Sequence, residues 1–292
     1  MKKPSPKHGS RRLRVGLVQT RVSDDVDQNL ARALQGIRDA AAKGAQIVCL
    51  QELFAGRYFA RSEDPAFWDR AESIPGKISR FLANSSAASR VILVGGSLYE
   101  KAPGGKRYNT TLVFDREGKR IGKYRKMHVP DDPHYYERYY FEPGNLGYVQ
   151  VATPTATIAP LICYDQWFPD AARVNAIRGA EVLFYPTAIG WFPDFKKDEP
   201  FSSQRWEDAM RAHASMNGVF VAAVNRVGRE GDLKFWGGSF VADPFGQVVA
   251  RASRVREQIL IADLDLDKIP ESQNGWGLLD NRRPDSYGDL TR

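Results

Sequence analysis

Apolar and polar positions alternate along this chain in two rhythms, and together they predict its elements. Leu13–Gln19 is a short apolar run of the kind that forms a buried strand. Asp27–Lys43 then places Leu30, Leu34, Ile37 and Ala41 on one helical face, and Gln46–Glu52 reads as a second strand. Strand, helix and strand in about forty residues predict a βαβ unit with parallel strands and a right-handed crossover. Ser73-Ile74-Pro75-Gly76 opens a helix over Lys77–Ser89, and Arg90–Tyr99 follows as a strand. The Gly95-Gly96 pair inside it signals a bulge or a close backbone approach. Turns at Gly104-Gly105 and Glu117-Gly118 lead into strands at Tyr108–Asp115 and Arg120–Val129, predicted as antiparallel neighbours. Residues 130–147 lose all periodicity. Loops of that length are functional or disordered, and the five aromatics in this one argue for order.

The second half repeats the scheme. An apolar run through Ala159 ends at Cys163, a polar and aromatic turn follows, and Pro169 sits where a first helical turn accepts proline. A helix is predicted over Asp170–Gly179, a strand over Glu181–Thr187, then a second aromatic loop, Ala188–Pro200. Ser202–Asn217 reads as a helix and Val219–Val227 as a strand. Phe235–Ala242 and Gln247–Ala252 read as a hairpin across Asp243-Pro244-Phe245-Gly246, and Gln258–Leu264 as a last strand before a polar tail. No repeat or low-complexity linker divides the chain. The expectation is an α/β protein with one domain, 13–292, behind a basic and disordered tail, 1–12.

Composition changes this picture in two places. The net charge of +7 suggests nucleic acid until it is located: six basic residues and no acid fall within residues 1–14, and the remainder holds 36 basic against 35 acidic residues. A near-neutral body does not predict nucleic-acid binding. The two cysteines, Cys49 and Cys163, are too few for a disulfide scaffold and lack zinc-site spacing. No apolar run approaches the ~20 residues of a membrane span, and no signal peptide is visible. The reading is cytoplasmic, with no metal or cofactor and no membrane partner.

Candidate chemistry gathers at the strand ends. On burial habits alone a lone cysteine after apolar residues is a packing residue, so Cys163 needs partners to count as a nucleophile. A helix start just beyond it would favour a thiolate. Glu52 closes one predicted strand at the edge where α/β sheets build sites, whereas Cys49, of opposite parity, points the other way. Lys126 lies near the end of another strand, and Glu137 follows in the aromatic loop. A thiol attacking an amide-like carbon needs a base, a cation or N–H donors for the oxyanion, and an acid for the departing nitrogen. Glu, Lys and Cys supply these without histidine.

Leu50-Gln51-Glu52-Leu53-Phe54, Tyr124-Arg125-Lys126-Met127-His128 and Leu161-Ile162-Cys163-Tyr164-Asp165 together resemble the three ordered motifs of the carbon–nitrogen hydrolase (nitrilase) superfamily. The resemblance runs from Leu13 to about Tyr287. It implies a four-layer α-β-β-α sandwich, homo-oligomers formed through the helices beside the nucleophile, and catalysis by Glu52, Lys126 and Cys163. It implies that Glu137 orients Lys126 or water, and that the Tyr164 backbone N–H helps to hold the oxyanion. The loops after Lys126 and Cys163 are similar to those of members that cleave carbamoylated diamines. Gln166 and Trp167 stand where relatives with acidic substrates place arginines, so a neutral or cationic carbamoyl substrate is implied. Asp131 and Asp132 are candidates for its ammonium, and Tyr136, Trp167 and Trp191 for aromatic walls. The alternatives are an amidase for another substrate, such as N-carbamoyl-β-alanine, and a non-catalytic binding protein on the same fold.

Overall fold

A computed structural model describes residues 11–291. The first half contributes β1 (Arg12–Gln19), α1 (Val26–Ala42), β2 (Ile47–Leu50), α2 (Lys77–Ser89), β3 (Ile92–Val94), β4 (Leu98–Lys101), β5 (Arg107–Phe114) and β6 (Arg120–Arg125). The connecting loop carries the two-residue strands β7 (Asp131–Asp132) and β8 (Tyr135–Tyr136). The second half contributes β9 (Val151–Ala152), β10 (Thr157–Pro160), α3 (Pro169–Ile177), β11 (Val182–Thr187), β12 (Gly190–Trp191), α4 (Pro193–Asp198), α5 (Ser202–Asn217) and β13 (Phe220–Asn225). It continues with β14 (Val227–Glu230), β15 (Leu233–Trp236), β16 (Phe240–Ala242), β17 (Val248–Arg251), β18 (Gln258–Asp265) and α6 (Lys268–Trp276).

Strand parity builds the layers. One seven-stranded sheet runs β18-β1-β2-β3-β5-β4 with β6 on β5; a six-stranded sheet runs β17-β16-β13-β11-β10-β9. Side chains alternate between sheet faces. Val15, Leu17, Ile47 and Cys49 of the first sheet meet Val182, Phe184, Phe220 and Ala222 of the second in one core. The intervening residues Val48 and Leu50 pack under α1 and α2, and Leu183, Tyr185, Val221 and Ala223 under α3 and α5. The result is the expected α-β-β-α sandwich. Cys49 is a packing residue between the sheets, as its parity predicted.

The structure departs from the sequence expectations at a few boundaries. Gly95-Gly96 separates two strands, β3 and β4, rather than bulging one. Phe235 belongs to the β14–β15 hairpin and not to the β16–β17 hairpin. Residues 1–10, most of the basic tail, lie outside the described residues. Arg11 and Arg12 lie inside them: Arg12 opens β1, and the two pair with Glu181 and Asp265 at 2.9 Å and 3.1 Å. No helix among the described residues is long and apolar enough to cross a membrane.

Candidate active site

The site forms where both sheets end beside the loop 130–147. Glu52 lies two residues beyond β2, in a turn rather than the strand. Gly96 has φ +61°, and a Cβ there would stand 2.1 Å from the Gln51 carbonyl oxygen, so only glycine lets β3 turn away this close to Glu52. Leu53 takes the left-handed region at φ +46°. Its N–H donates to Ser97 Oγ at 2.9 Å. The buried Arg226 donates to the carbonyl oxygens of Glu52 and Leu53 at 2.8 Å and 2.9 Å and pairs with Glu230 at 2.6 Å. Glu230 in turn accepts from the Tyr58 N–H. The turn is thus held from three sides.

Lys126 follows the last residue of β6. Its backbone N–H donates to the Asn109 carbonyl at 2.9 Å. Its ammonium is fully buried, 3.0 Å from Glu52 Oε1 and 2.6 Å from Glu137 Oε2. Asn109 Nδ2 donates to the same Glu52 oxygen at 2.9 Å, and the Tyr58 hydroxyl donates to Glu137 Oε1 at 2.9 Å. Glu52 Oε2 is left without a partner among the described residues. Burial pushes Glu137 up to about 7; the Lys126 ammonium opposes this and the Glu52 charge adds to it. Burial alone would lower Lys126, but the flanking Glu137 and Glu52 carboxylates raise it above its ordinary value and keep it cationic.

Cys163 begins a 3₁₀ turn, Cys163–Trp167, that stands between β10 and α3. Its φ is +39°, strained for a residue with a Cβ. Asp165 braces the turn. It accepts from the Tyr124 hydroxyl and the Ile162 N–H at 2.7 Å and 2.9 Å, and from the His128 N–H at 3.0 Å, with His128 Nδ1 at 2.7 Å. One buried carboxylate therefore ties the cysteine turn to the lysine segment. The 3₁₀ turn stands between Cys163 and the start of α3. Burial pushes the thiol well above its ordinary value; the Glu52 charge adds to this, and Lys126 and the Ala188 N–H oppose it. A buried thiol of this kind needs a base before it can attack.

Cys163 and Glu137 open onto a cavity of about 530 Å³, lined also by Tyr164, Gln166, Trp167, Trp191 and Asp132. The structure thus brings together Glu52, Lys126, Glu137 and Cys163, and places Asp132, Trp167 and Trp191 on the cavity wall. Asp131 and Tyr136 pair with each other across β7 and β8 and are not among its lining residues. Sequence reasoning missed Tyr58, Asn109, Arg226, Tyr135 and, on the cavity rim, Arg205; Glu199, an acid of the second aromatic loop, lines the same cavity. Their only signal was position: Arg226 is a charge at the end of an apolar strand, the same signal that marked Glu52. Among the described residues no cluster of histidine, cysteine and carboxylates could hold a metal ion.

The profile of the Carbon-nitrogen hydrolase family matches residues 14–273 of this chain. The chain belongs to the carbon–nitrogen hydrolase family. It is accordingly a hydrolase acting on carbon–nitrogen bonds. It is 41% identical to the N-carbamoylputrescine amidase of Solanum lycopersicum over 95% of this chain and 94% of that one. It is 36% identical to the citrullinase of Francisella tularensis, over 96% and 98% of the two chains. The crystal structure of a carbon–nitrogen hydrolase from Helicobacter pylori superimposes with a TM-score of 0.92 at 36% identity, over 96% of this chain and 99% of that one. In this member of the carbon–nitrogen hydrolase family, the two halves of the sandwich contribute different parts of the site. Glu52 and Lys126 come from the first, Cys163 from the second, and Glu137 from the loop between them.

Proposed function

We propose that this enzyme hydrolyses N-carbamoylputrescine to putrescine, carbon dioxide and ammonia with Cys163 as the nucleophile, supplying putrescine for polyamine synthesis in the cytoplasm. The observation that carries the chemistry is the Lys126 ammonium buried between two carboxylates at the cavity that Cys163 opens onto. Glu52 Oε2, which has no other partner among the described residues, takes the thiol proton. The sulfur then bonds to the ureido carbon, and the carbonyl electron pair moves to oxygen. That oxygen is held by Lys126, which spends only two of its three donors on Glu52 and Glu137, and by the Tyr164 N–H. Protonated Glu52 returns its proton to the departing nitrogen as the carbon–nitrogen bond breaks. Water attacks the carbamoyl thioester with Glu52 as base, freeing Cys163 and a carbamate that decays to carbon dioxide and ammonia. Glu137 holds the lysine in place.

The substrate assignment rests on the relatives named for it and on the rim. Asp132 and Glu199 lie exposed at the cavity, with Tyr135, Trp167 and Trp191 along its walls, a setting suited to an ammonium on an aliphatic stem. A second reading has its own observation. Arg205 also lines the cavity, 5.6 Å from the Trp167 ring. Beside Glu199 it would suit the zwitterionic end of a ureido amino acid such as citrulline. Ammonia release from purified wild type and Cys163→Ala, given N-carbamoylputrescine, citrulline and N-carbamoyl-β-alanine in parallel, decides between them. Turnover of the first above the others, lost in the variant, supports the reading. Preference for citrulline moves the substrate to the second reading and leaves the chemistry intact.

A further inference from the structure

We infer that Tyr58 is a positioning residue whose hydroxyl holds Glu137 as a carboxylate, so that Lys126 stays fixed and the Cys163 proton goes to Glu52. The inference rests on the thioester reading above. Two carboxylates flank one ammonium in this site, Glu52 at 3.0 Å and Glu137 at 2.6 Å from Lys126 Nζ. Chemistry at Cys163 needs them to differ: one must accept a proton while the other keeps its charge. Their partners supply the difference. Glu52 Oε1 accepts from Lys126 and Asn109, and Oε2 has no partner among the described residues. Glu137 has a donor on each oxygen, Lys126 on Oε2 and the Tyr58 hydroxyl on Oε1 at 2.9 Å. Donors on both oxygens favour the ionised form, and a hydrogen bond to a carboxylate is about twice as strong as one between neutral groups. A protonated Glu137 could keep the contact only by donating to the tyrosine oxygen, which is the weaker, neutral bond.

Both ends of the bond are anchored. The Tyr58 N–H donates to Glu230 Oε2 at 2.7 Å, and Glu230 pairs with Arg226. The Glu137 carbonyl accepts from the N–H groups of Tyr140 and Phe141 at 2.9 Å and 2.8 Å. Tyr58 is buried and is not among the residues lining the cavity, so its hydroxyl reaches the reaction through Glu137. Burial, with the Glu137 and Glu52 charges, pushes that hydroxyl well above its ordinary value, and it remains a donor throughout the working range. Glu137 is faced by Lys126 beyond β6, Glu52 and Tyr58 beyond β2, Tyr135 of β8 and Cys163 of the 3₁₀ turn. Burial, the largest influence, and Glu52 oppose its charge; Lys126 and the Tyr58 hydroxyl favour it.

Tyr58→Phe removes the hydroxyl and keeps the ring beside Tyr135. Losing a hydrogen bond to a charged group should move Glu137 up by about 1–2 pH units from its value of about 7. At about pH 7 the ionised fraction, and kcat with it, then falls about 5- to 50-fold. At about pH 9 kcat returns to within about threefold of wild type, and KM changes by less than about threefold at either pH. A loss of the same size at both pH values makes the hydroxyl a packing group and overturns the inference. In the Glu137→Gln background there is no charge to hold, so Tyr58→Phe should cost less than about twofold more, and a full further loss overturns the inference as well. Both arms are assayed on N-carbamoylputrescine and citrulline.

A readout free of turnover is the infrared carboxyl band of Glu137, identified by its absence in Glu137→Gln and followed against pH. In wild type it should vanish on ionisation near pH 7, and in Tyr58→Phe about 1–2 units higher. Equal titration in the two proteins contradicts the assignment. So does a wild-type Glu137 still protonated at about pH 9, a result that needs no Tyr58 variant to fold. A wild type that hydrolyses neither substrate sinks the functional reading, and the infrared titration still decides Tyr58.

Discussion

Cys163 is a residue that trades stability for position. Its φ of +39° belongs to a region where a Cβ costs about 1–2 kcal/mol. Cys163→Gly should therefore be more stable than Cys163→Ala by about 1 kcal/mol, measured by denaturant unfolding, with both inactive. Equal stabilities would mean that the backbone at the turn relaxes once the sulfur is gone. Glu137 carries the opposite lesson, since its strain is electrostatic. Its folded value, about 7, lies above the ordinary 4.5 because of burial. A group raised in this way adds stability that is complete below the unfolded value and is lost as pH rises through the folded one. Wild type should thus lose stability relative to Glu137→Gln between about pH 4.5 and 7, and a flat difference across that window would contradict the assignment. Glu52, Lys126 and Cys163 were legible because each sits at or near a strand end, where a rigid strand delivers a side chain, and because the segments around them carry the family resemblance. Tyr58, Asn109 and Arg226 were not, because what they do is set by contacts between segments distant in the chain, for which a single sequence carries no pattern.

Among the elements, helices with clear ends were legible to the residue. Lys77–Ser89 and Ser202–Asn217 came out as predicted because Gly76 and Gly218 mark a start and a stop. The β14–β15 hairpin was not, because its strands carry Gly228, Arg229 and Glu230 where an apolar run was sought, and α6 hid within a polar stretch that includes Pro270. The loop 130–147 was visible as ordered, but not its two-residue strands. The link with most leverage between elements is Asp165, which joins the 3₁₀ turn to the segment after β6. Its two oxygens accept the Ile162 N–H and the His128 N–H, one on each side of the joint. Asp165→Asn replaces one of these acceptors with a donor, and a buried N–H left facing it costs about 1–3 kcal/mol. Unfolding should register that loss. Because Cys163 and Lys126 come apart together, kcat should fall by more than KM rises. A variant as stable and as active as wild type would show that the turn holds without the carboxylate.

At the scale of the molecule, the sandwich explains why both halves of the chain are needed, and its outer layer bears on association. Layer order came from the family resemblance, with which the order of strands and helices is compatible; strand parity then assigns each residue to the inter-sheet core or to the helices. What remains uncovered was not readable, since exposure is a property of the folded surface. Ile177, Met216 and Trp276 are 42%, 58% and 75% exposed. Their elements converge: Arg173, one turn before Ile177, donates to the carbonyls of Met216 and Leu278 at 2.8 Å and 3.3 Å, and Gln273 donates to that of Asn217 at 3.0 Å. Exposed apolar side chains gathered where helices meet mark contact surfaces, and two of these helices, α3 and α5, pack against the Cys163 turn, beside which the family resemblance implies self-association. A second copy of the chain is therefore expected on α3, the end of α5 and α6. Sedimentation equilibrium of wild type should give a dimer or larger assembly, and Met216→Glu with Trp276→Glu should shift it toward monomer, since two carboxylates would be stranded in an apolar contact. Because α3 follows the 3₁₀ turn directly, a monomeric variant should also lose kcat. Unchanged assembly in the double variant would move the contact to another face, and a monomeric variant with full activity would separate association from the Cys163 turn.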